Sequence, residues 1–532
     1  TPDLRHNINK NLCLFFLTTI CNYLMTLLKD CKLILRNKKV IIIGAGIAGL
    51  TAAMKLSTSG VSVEVYEQHE KPGGKIRYFK SKAGPIDAGP TVLTMYNVFE
   101  NLFNSCGHDI NENLDFIKEE IIARHWWRDQ STLDLYSSFE KNFEEIKKFA
   151  GHKSALEFEK FNKFSESLFD FFKDPIIMSP KPKIFPLFLN SFVYWKLLKE
   201  LLIKNKNLYN YLSENFSDYR LKQLFSRYST YVGGSPFMSP NILSLIWNVE
   251  CQGVWRVKGG MYNLAKEIES VARKSDTQFF YKSKVKKILV KNNKITGIEL
   301  NDSRVIHSNT VIFNGDPKAL LDGLVGKDVK KAVSTKNVQK RSLSAYVWSF
   351  SAKTKGLKLR HHNVLFNKNY KNEFEDIKKG EIPKDPTLYI CAQGNNNDPY
   401  PKENVLGRFE IIINGSPVSL NKTYNKQKEY AKCKEITFSI LESMGLKIDL
   451  KPSEEMLTTP EEFNLMFPGS QGSLYGRTPH GITSTFMRPK NRNKIQGLLL
   501  VGGGTHPGAG IPMACLSGRH AAEMILKDLS LI

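Results

Sequence analysis

Cysteine is scarce and scattered: eight residues, at 13, 21, 31, 106, 251, 391, 433 and 515, with no C-x-x-C pair. No Cys/His cluster keeps metal-ligand spacing either, so an iron–sulfur centre, a zinc site and a disulfide framework all lack support. The thiols read as reduced ones in a cytoplasmic enzyme, and no metal ligand is assigned. A long uninterrupted apolar run is also missing. The best stretch, Leu12 to Leu28, is broken by Asn22 and falls short of the ~20 residues that span a bilayer. A marginal anchor or a signal-like segment is one reading of it. The reading adopted makes residues 1–37 an N-terminal extension of uncertain role, with Met25 as an alternative start because the chain opens on Thr1. Acids are short as well: 52 Asp and Glu stand against 76 Lys and Arg, a net charge of +24 with pI near 9.4. That excess raises nucleic acid or an anionic membrane surface as partner. The cations run along the whole chain instead of gathering in one arm or stripe, so nucleic acid is set aside.

What is present is an ordinary globular balance in a long chain. With 532 residues, 41% of them hydrophobic, the protein exceeds the size at which one core keeps growing, and two or three interleaved domains are expected. From Val40 to Ile43 runs a continuous apolar segment without polar alternation, the mark of a buried parallel strand. It meets Gly44, Gly46 and Gly49 in G-x-G-x-x-G spacing. The first glycine permits the tight turn, the second lets backbone approach a pyrophosphate, and the third lets helix and strand pack closely. The helix that follows offers free N–H groups and its positive dipole end to that pyrophosphate. A second strand, Val61 to Tyr66, ends at Glu67, placed to accept hydrogen bonds from a ribose hydroxyl and to repel a 2′-phosphate. A dinucleotide site is therefore expected here, and NADP is disfavoured.

Two further stretches extend that site. After Glu67 come Gly73, Gly74 and Lys75, where two glycines allow close backbone approach and the cation can sit near phosphate oxygens; a basic surface turn is the plainer alternative. Near the C-terminus, Gln496 to Val501 reads as a buried strand, Gly502, Gly503 and Gly504 as a loop, and the stretch from about Pro512 with Met513 as a helix. Pro512 suits a first helical turn. Tyr281 to Val290, with Val285 inside it, and Val311 to Asp316 have the shape of middle strands of the same domain.

The E-x(5)-G-G-[KR] continuation resembles the flavoproteins that include amine oxidases, protoporphyrinogen oxidases and phytoene desaturases. Asp87 to Met95, Ala123 to Trp127, Arg227 to Pro236, Gly253 to Met261, Arg341 to Ala345 and Leu474 to Arg477 resemble the phytoene desaturase family, and more closely its hydroxycarotenoid 3,4-desaturase (methoxyneurosporene dehydrogenase) branch. The resemblance runs from Lys38 to the C-terminus. It implies FAD as cofactor, with the C-terminal helix end directed at the flavin. It also implies a linear carotenoid with a 1-hydroxyl end as substrate, dehydrogenated at the 3,4 position, and oxygen or a quinone as the open choice of electron acceptor. Phytoene or neurosporene desaturation, an amine-oxidase-like activity and a non-catalytic polyene carrier remain as rivals. His125, Asp87 and Arg477 fall in these blocks as weak catalytic candidates, against the plainer readings of a strand-end His, a turn Asp and a surface Arg.

The architecture expected is an α/β fold in three parts. A discontinuous Rossmann-like FAD-binding domain takes 38–110, 250–340 and 485–532. A helical substrate and membrane subdomain takes 111–249, and an inserted mixed-sheet substrate domain takes 341–484. Within the helical part, Leu168 to Leu212 mixes aromatics and long aliphatics with Lys181, Lys183, Lys196, Lys199, Lys204 and Lys206. Phe192, Trp195, Leu198 and Leu202 keep helical spacing, as an interfacial helix or an ordinary core-facing one would. A substrate stored in lipid favours the first, so peripheral membrane association is expected.

Overall fold

The computed structural model describes residues 38–183, 185, 194–203, 206–395, 400–419, 424–481 and 483–530. The N-terminal extension and Phe192 lie outside the described residues, as do the side chains of Lys196 and Leu202.

Five parallel strands form the first sheet, in the spatial order 498–500, 310–313, 39–43, 62–66 and 278–280. Its central strand, Lys39–Ile43, pairs Ile42 with Val65 on one side and with Ile312 on the other. Helices pack on one face, where Val40 and Ile42 meet Leu50, Ala265 and Leu516, and an antiparallel sheet covers the other, where Ile41 meets Val285, Ile288 and Ile298; both faces are closed, so the segment reads as continuously apolar. The helix Ile47–Thr58 and the last helix, Ile511–Ser530, cross at backbone contact: a Cβ on Gly518 would stand 2.1 Å from the Ala48 carbonyl oxygen.

Two expectations change here. The edge strand of the parallel sheet is Gln278–Phe280, not Tyr281 to Val290; Val285 instead opens a separate three-stranded antiparallel sheet, 285–291, 294–300 and 305–307. The second sheet is larger than segment 341–484 supplies. Its main path runs 447–449, 344–355, 407–415, 388–392, 362–365, 121–126 and 132–136, so two strands come from the part expected to be helical. The Ile121–Trp126 strand enters parallel to His362–Leu365, and all other neighbours are antiparallel.

Register decides what this sheet presents. Val347 lies opposite Ile412 and Ile412 opposite Tyr389, while Ala345 lies opposite Asn414 one step along. With period-two alternation, Ala345, Val347, Asn414, Ile412, Thr387 and Tyr389 share a face. That face forms one wall of the cavity described below.

Among the described residues no helix is long and apolar enough to cross a membrane. The lysine-rich stretch turns Leu197 and Leu201 into the core, four residues apart, and Leu198 packs partly against it. Trp195 and Phe185 remain largely exposed. The face expected to meet lipid is thus divided: Leu198 belongs with the core, Trp195 with the surface.

Candidate functional site

The turn between the first strand and helix is built as the glycine spacing requires. Gly44 has φ +98°, a region closed to most side chains. A Cβ on Gly49 would lie 2.2 Å from the Gly44 carbonyl oxygen, so only glycine lets the helix sit this close. Gly46 forms the N-terminal boundary of the helix without any side-chain cap, leaving its first N–H groups free for an anion. The Gly73–Gly74 loop closes over it. Gly73 N donates to Ala45 O at 2.8 Å, and a Cβ on Gly74 would be 3.1 Å from the Gly46 Cα. Asn314 completes the turn from the neighbouring strand, donating from Nδ2 to Gly44 O and Gly46 O, both at 3.1 Å. The sequence placed Asn314 at a strand end but gave no sign that its amide would brace a turn 270 positions away.

Glu67 ends the second strand as expected. Its Oε2 accepts from Ala45 N at 2.7 Å and its Oε1 from His69 N at 2.9 Å, which fixes the carboxylate while leaving acceptor capacity on both oxygens. Residues from both ends of the chain meet at this place. One cavity of about 770 Å³ is lined by Gly44, Gly46, Glu67, Gly73, Gly74, Lys75, Val285, Gly503, Gly504, Pro512 and Met513. It continues past them along the sheet face to Val347, Ile412 and Tyr389, and to Phe172, Ile176 and Ile177. The glycine cradle, the free helix end and the fixed acid fit a dinucleotide such as FAD, and the longer apolar arm leaves room for a second, apolar molecule.

Lys75 lines the same cavity, next to Gly73 and Gly74. Its Nζ donates to the Leu474 carbonyl at 2.5 Å and lies 5.6 Å from the Phe467 ring centre, so it serves the junction of the two arms. Burial pushes its pKa down to about 8, with Asp316 opposing and Arg341 and Arg488 reinforcing the shift. Arg488, which no motif singled out, donates to Tyr475 O and Gly503 O and pins the C-terminal loop. Burial beside Arg341 draws it down to about 10. The last helix begins at Ile511, so Pro512 and Met513 stand in its first turn.

None of the three weak catalytic candidates lines the cavity. His125 is core: its Nδ1 lies 3.2 Å from Leu133 O, its ring stacks on Phe366, and burial drops its pKa to about 3. Asp87 accepts from Met261 N with both oxygens, at 3.0 and 2.9 Å, holding the glycine turn that opens the helix Tyr262–Lys274; burial raises it to about 6. Arg477 is buried, not a surface residue, and donates to Lys336 O and to Met487 Sδ. The fold also gathers His361, His362 and Cys391, with donor atoms within 4.8 Å of one another. Spacing rules miss this group because His362 and Cys391 are partners on neighbouring strands. Cys391 Sγ lies 3.6 Å from His361 Nε2, and burial favours the neutral thiol and imidazoles.

Residues 47–343 match the model of the flavin containing amine oxidoreductases. The hydroxyneurosporene desaturase of Cereibacter sphaeroides is 42% identical over 492 residues, covering 92% of this chain and 98% of that protein. The 1-hydroxycarotenoid 3,4-desaturase of a Flavobacterium species is 29% identical over 508 residues, covering 92% of this chain and 99% of that one. In fold, an oxidoreductase from Methanosarcina mazei superposes with a TM-score of 0.58 at 15% identity, over 91% of this chain and the whole of that one. The chain thus belongs to the flavin containing amine oxidoreductase family, among the hydroxyneurosporene desaturases.

Proposed function

We propose that this protein is an FAD-dependent desaturase of carotenoid biosynthesis that takes two hydrogens from the 3,4 position of a linear carotenoid bearing a 1-hydroxyl. The observation that carries the reading is the 42% identity, over nearly the full length of both chains, to a hydroxyneurosporene desaturase, and the 3,4 position follows the 29% identical 1-hydroxycarotenoid 3,4-desaturase. The apolar arm of the cavity suits a polyene. FAD, when bound, supplies the hydride acceptor.

The chain's own residues bind and orient. Gly44, Gly46 and Gly49 bring backbone N–H groups to the pyrophosphate, Glu67 accepts from the ribose, and Gly73 and Gly74 close the cradle. Val285 bounds the adenosine end, while Gly503, Gly504, Pro512 and Met513 bound the flavin end, where the helix dipole favours a developing negative charge. Lys75 and Arg488 hold the junction. His125, Asp87 and Arg477 act in the fold and are not assigned a proton transfer; alignment of substrate against the flavin is the main catalytic contribution.

Access is part of the function, because the substrate has almost no solubility in water. Ile176 and Ile177 line the cavity just before the stretch that leaves Phe185 and Trp195 exposed. We place a peripheral membrane contact there, with nearby lysines on anionic headgroups. The deciding experiment offers hydroxylated carotenoid, its deoxy analogue and an alkyl amine to the purified holoenzyme without oxygen. Bleaching of the flavin with a red-shifted polyene product supports the reading. Bleaching by the amine alone, or polyene binding without bleaching, would replace it with an oxidase or a carrier.

A further inference from the structure

One charged group in the cavity wall has no part in the cradle. Arg227 opens the short helical segment Arg227–Val232 and lines the cavity together with Thr230 and Tyr231. Its Nη1 donates to the Tyr231 hydroxyl at 3.1 Å, and its guanidinium lies 5.0 Å from the Tyr231 ring centre and 5.4 Å from that of Tyr389. No carboxylate stands within ion-pair distance of it among the described residues. Its charge is answered at one remove: Tyr231 donates to Glu250 Oε1 at 2.6 Å, and Tyr228 donates to Glu250 Oε2. Cation, phenol and carboxylate thus form a relay with no net charge. A ligand at the guanidinium therefore needs to be a neutral oxygen acceptor, because an anion would meet a cation already balanced by Glu250.

Two other features converge on the same region. The Tyr370 residue lines the cavity and feels the Arg227 charge, and its buried hydroxyl has no hydrogen-bond partner. A buried hydroxyl left unpaired is costly, and a ligand oxygen can recover that cost. The segment carrying Arg227 also leans on the cofactor end of the cavity. A Cβ on Gly233 would be 2.5 Å from the Tyr475 ring, and the Tyr475 carbonyl accepts from the same Arg488 that holds Gly503.

We propose that Arg227, oriented by Tyr231 and Glu250 and assisted by Tyr370, binds the terminal alcohol of the polyene and so selects hydroxylated substrates. The inference rests on the desaturase reading above. It explains a matter of reach: the alcohol is on C1 and the hydrogens leave C3 and C4, only two or three bonds away. An anchor for this alcohol must therefore stand beside the flavin end, where Arg227 is, and not at the far end of a long tunnel.

The test compares kcat/KM for a 1-hydroxylated carotenoid and for its deoxy analogue, both presented in the same micelles, in wild type and in Arg227→Gln, Tyr370→Phe and Tyr231→Phe holoenzymes. The expected result is a wild-type preference for the alcohol that shrinks about 10- to 100-fold in Arg227→Gln, and by less in the two phenylalanine variants. Tyr231→Phe keeps Arg227 and removes only its orienting phenol, so a reduced preference there, with the visible flavin spectrum retained, separates recognition from misfolding. An undiminished preference in Arg227→Gln and Tyr370→Phe overturns the anchor while leaving the desaturase reading intact. A wild-type enzyme that desaturates neither compound overturns both.

Discussion

Gly49→Ala is the substitution whose consequence follows most directly from the packing of the glycine turn. The added Cβ would meet the Gly44 carbonyl oxygen at 2.2 Å and Asn314 Nδ2 at 2.8 Å. The first obstacle is backbone in a turn already committed to φ +98° at Gly44, so the helix has to give way, by about 1 Å to reach ordinary contact. Overpacking of this kind costs about 1–3 kcal/mol. Withdrawal of the helix end from the turn would charge most of that to cofactor binding, a rise of about 5- to 150-fold in the Kd for FAD. Gly380→Ala is the matched control: it too has positive φ, at +77°, but a Cβ there meets nothing within 4 Å and the site is far from the cavity lining. Titration of deflavinated protein with FAD, followed by flavin fluorescence, gives both constants. Wild-type affinity in Gly49→Ala, or an equal loss in Gly380→Ala, would refute the placement of the pyrophosphate at this turn.

Four further outcomes follow from the same contacts. Asn314→Ala removes both amide braces of the glycine turn and should weaken FAD binding about tenfold with the secondary structure, read by circular dichroism, unchanged. Gly504→Leu drives a side chain toward Pro317 Cδ, 2.6 Å from the Cβ position, and should alter the visible flavin spectrum; an unaltered spectrum removes this loop from the flavin. Burial holds His125 and His362 at about 3, below the ~6.5 of a free imidazole, so the unfolded chain takes up protons first as pH falls. Stability is therefore complete above pH ~6.5 and declines through the acid range, by about 2 kcal/mol per residue at pH 5, and His125→Phe should flatten the fall in urea midpoint between pH 7 and 5. Trp195→Ser should reduce flotation with neutral as well as anionic liposomes, whereas Lys199→Glu should matter only on anionic ones and fade with salt.

The parts of the site that were legible in the sequence are those built within one supersecondary unit. The strand, Gly44 to Gly49 and Glu67 are set by local conformation, and the C-terminal loop with Pro512 is set the same way. Side chains whose direction depends on distant register were not legible. His125 and Arg477 sit in blocks that resemble a catalytic family, but pairing turns the first onto Phe366 and packing sends the second to Met487. The hydrogen bond of Lys75 to the Leu474 carbonyl, nearly 400 positions away, was likewise beyond the sequence's reach. The segment 285–291 was read as part of the parallel sheet because its apolar spacing suits either sheet, and only its partner strand 294–300 decides. Arg227 opens the family-like segment Arg227 to Pro236, yet its role depends on Glu250, reached through Tyr231, and on Tyr475 packing against Gly233.

The crossing of Gly518 over Ala48 has a consequence for biosynthesis. The first strand and helix leave the ribosome well before the neighbouring strand 310–313, and far before the outer strand 498–500 and the covering helix Ile511–Ser530. At elongation rates of about 5–20 residues per second, strand 310–313 follows after roughly 14 to 54 s, during which Ile41 and Ile42 have no sheet neighbour on one side. Cofactor capture must then wait for these late segments, and a truncation that removes the helix Ile511–Ser530 but spares every residue of the glycine turn would still deprive the protein of its flavin.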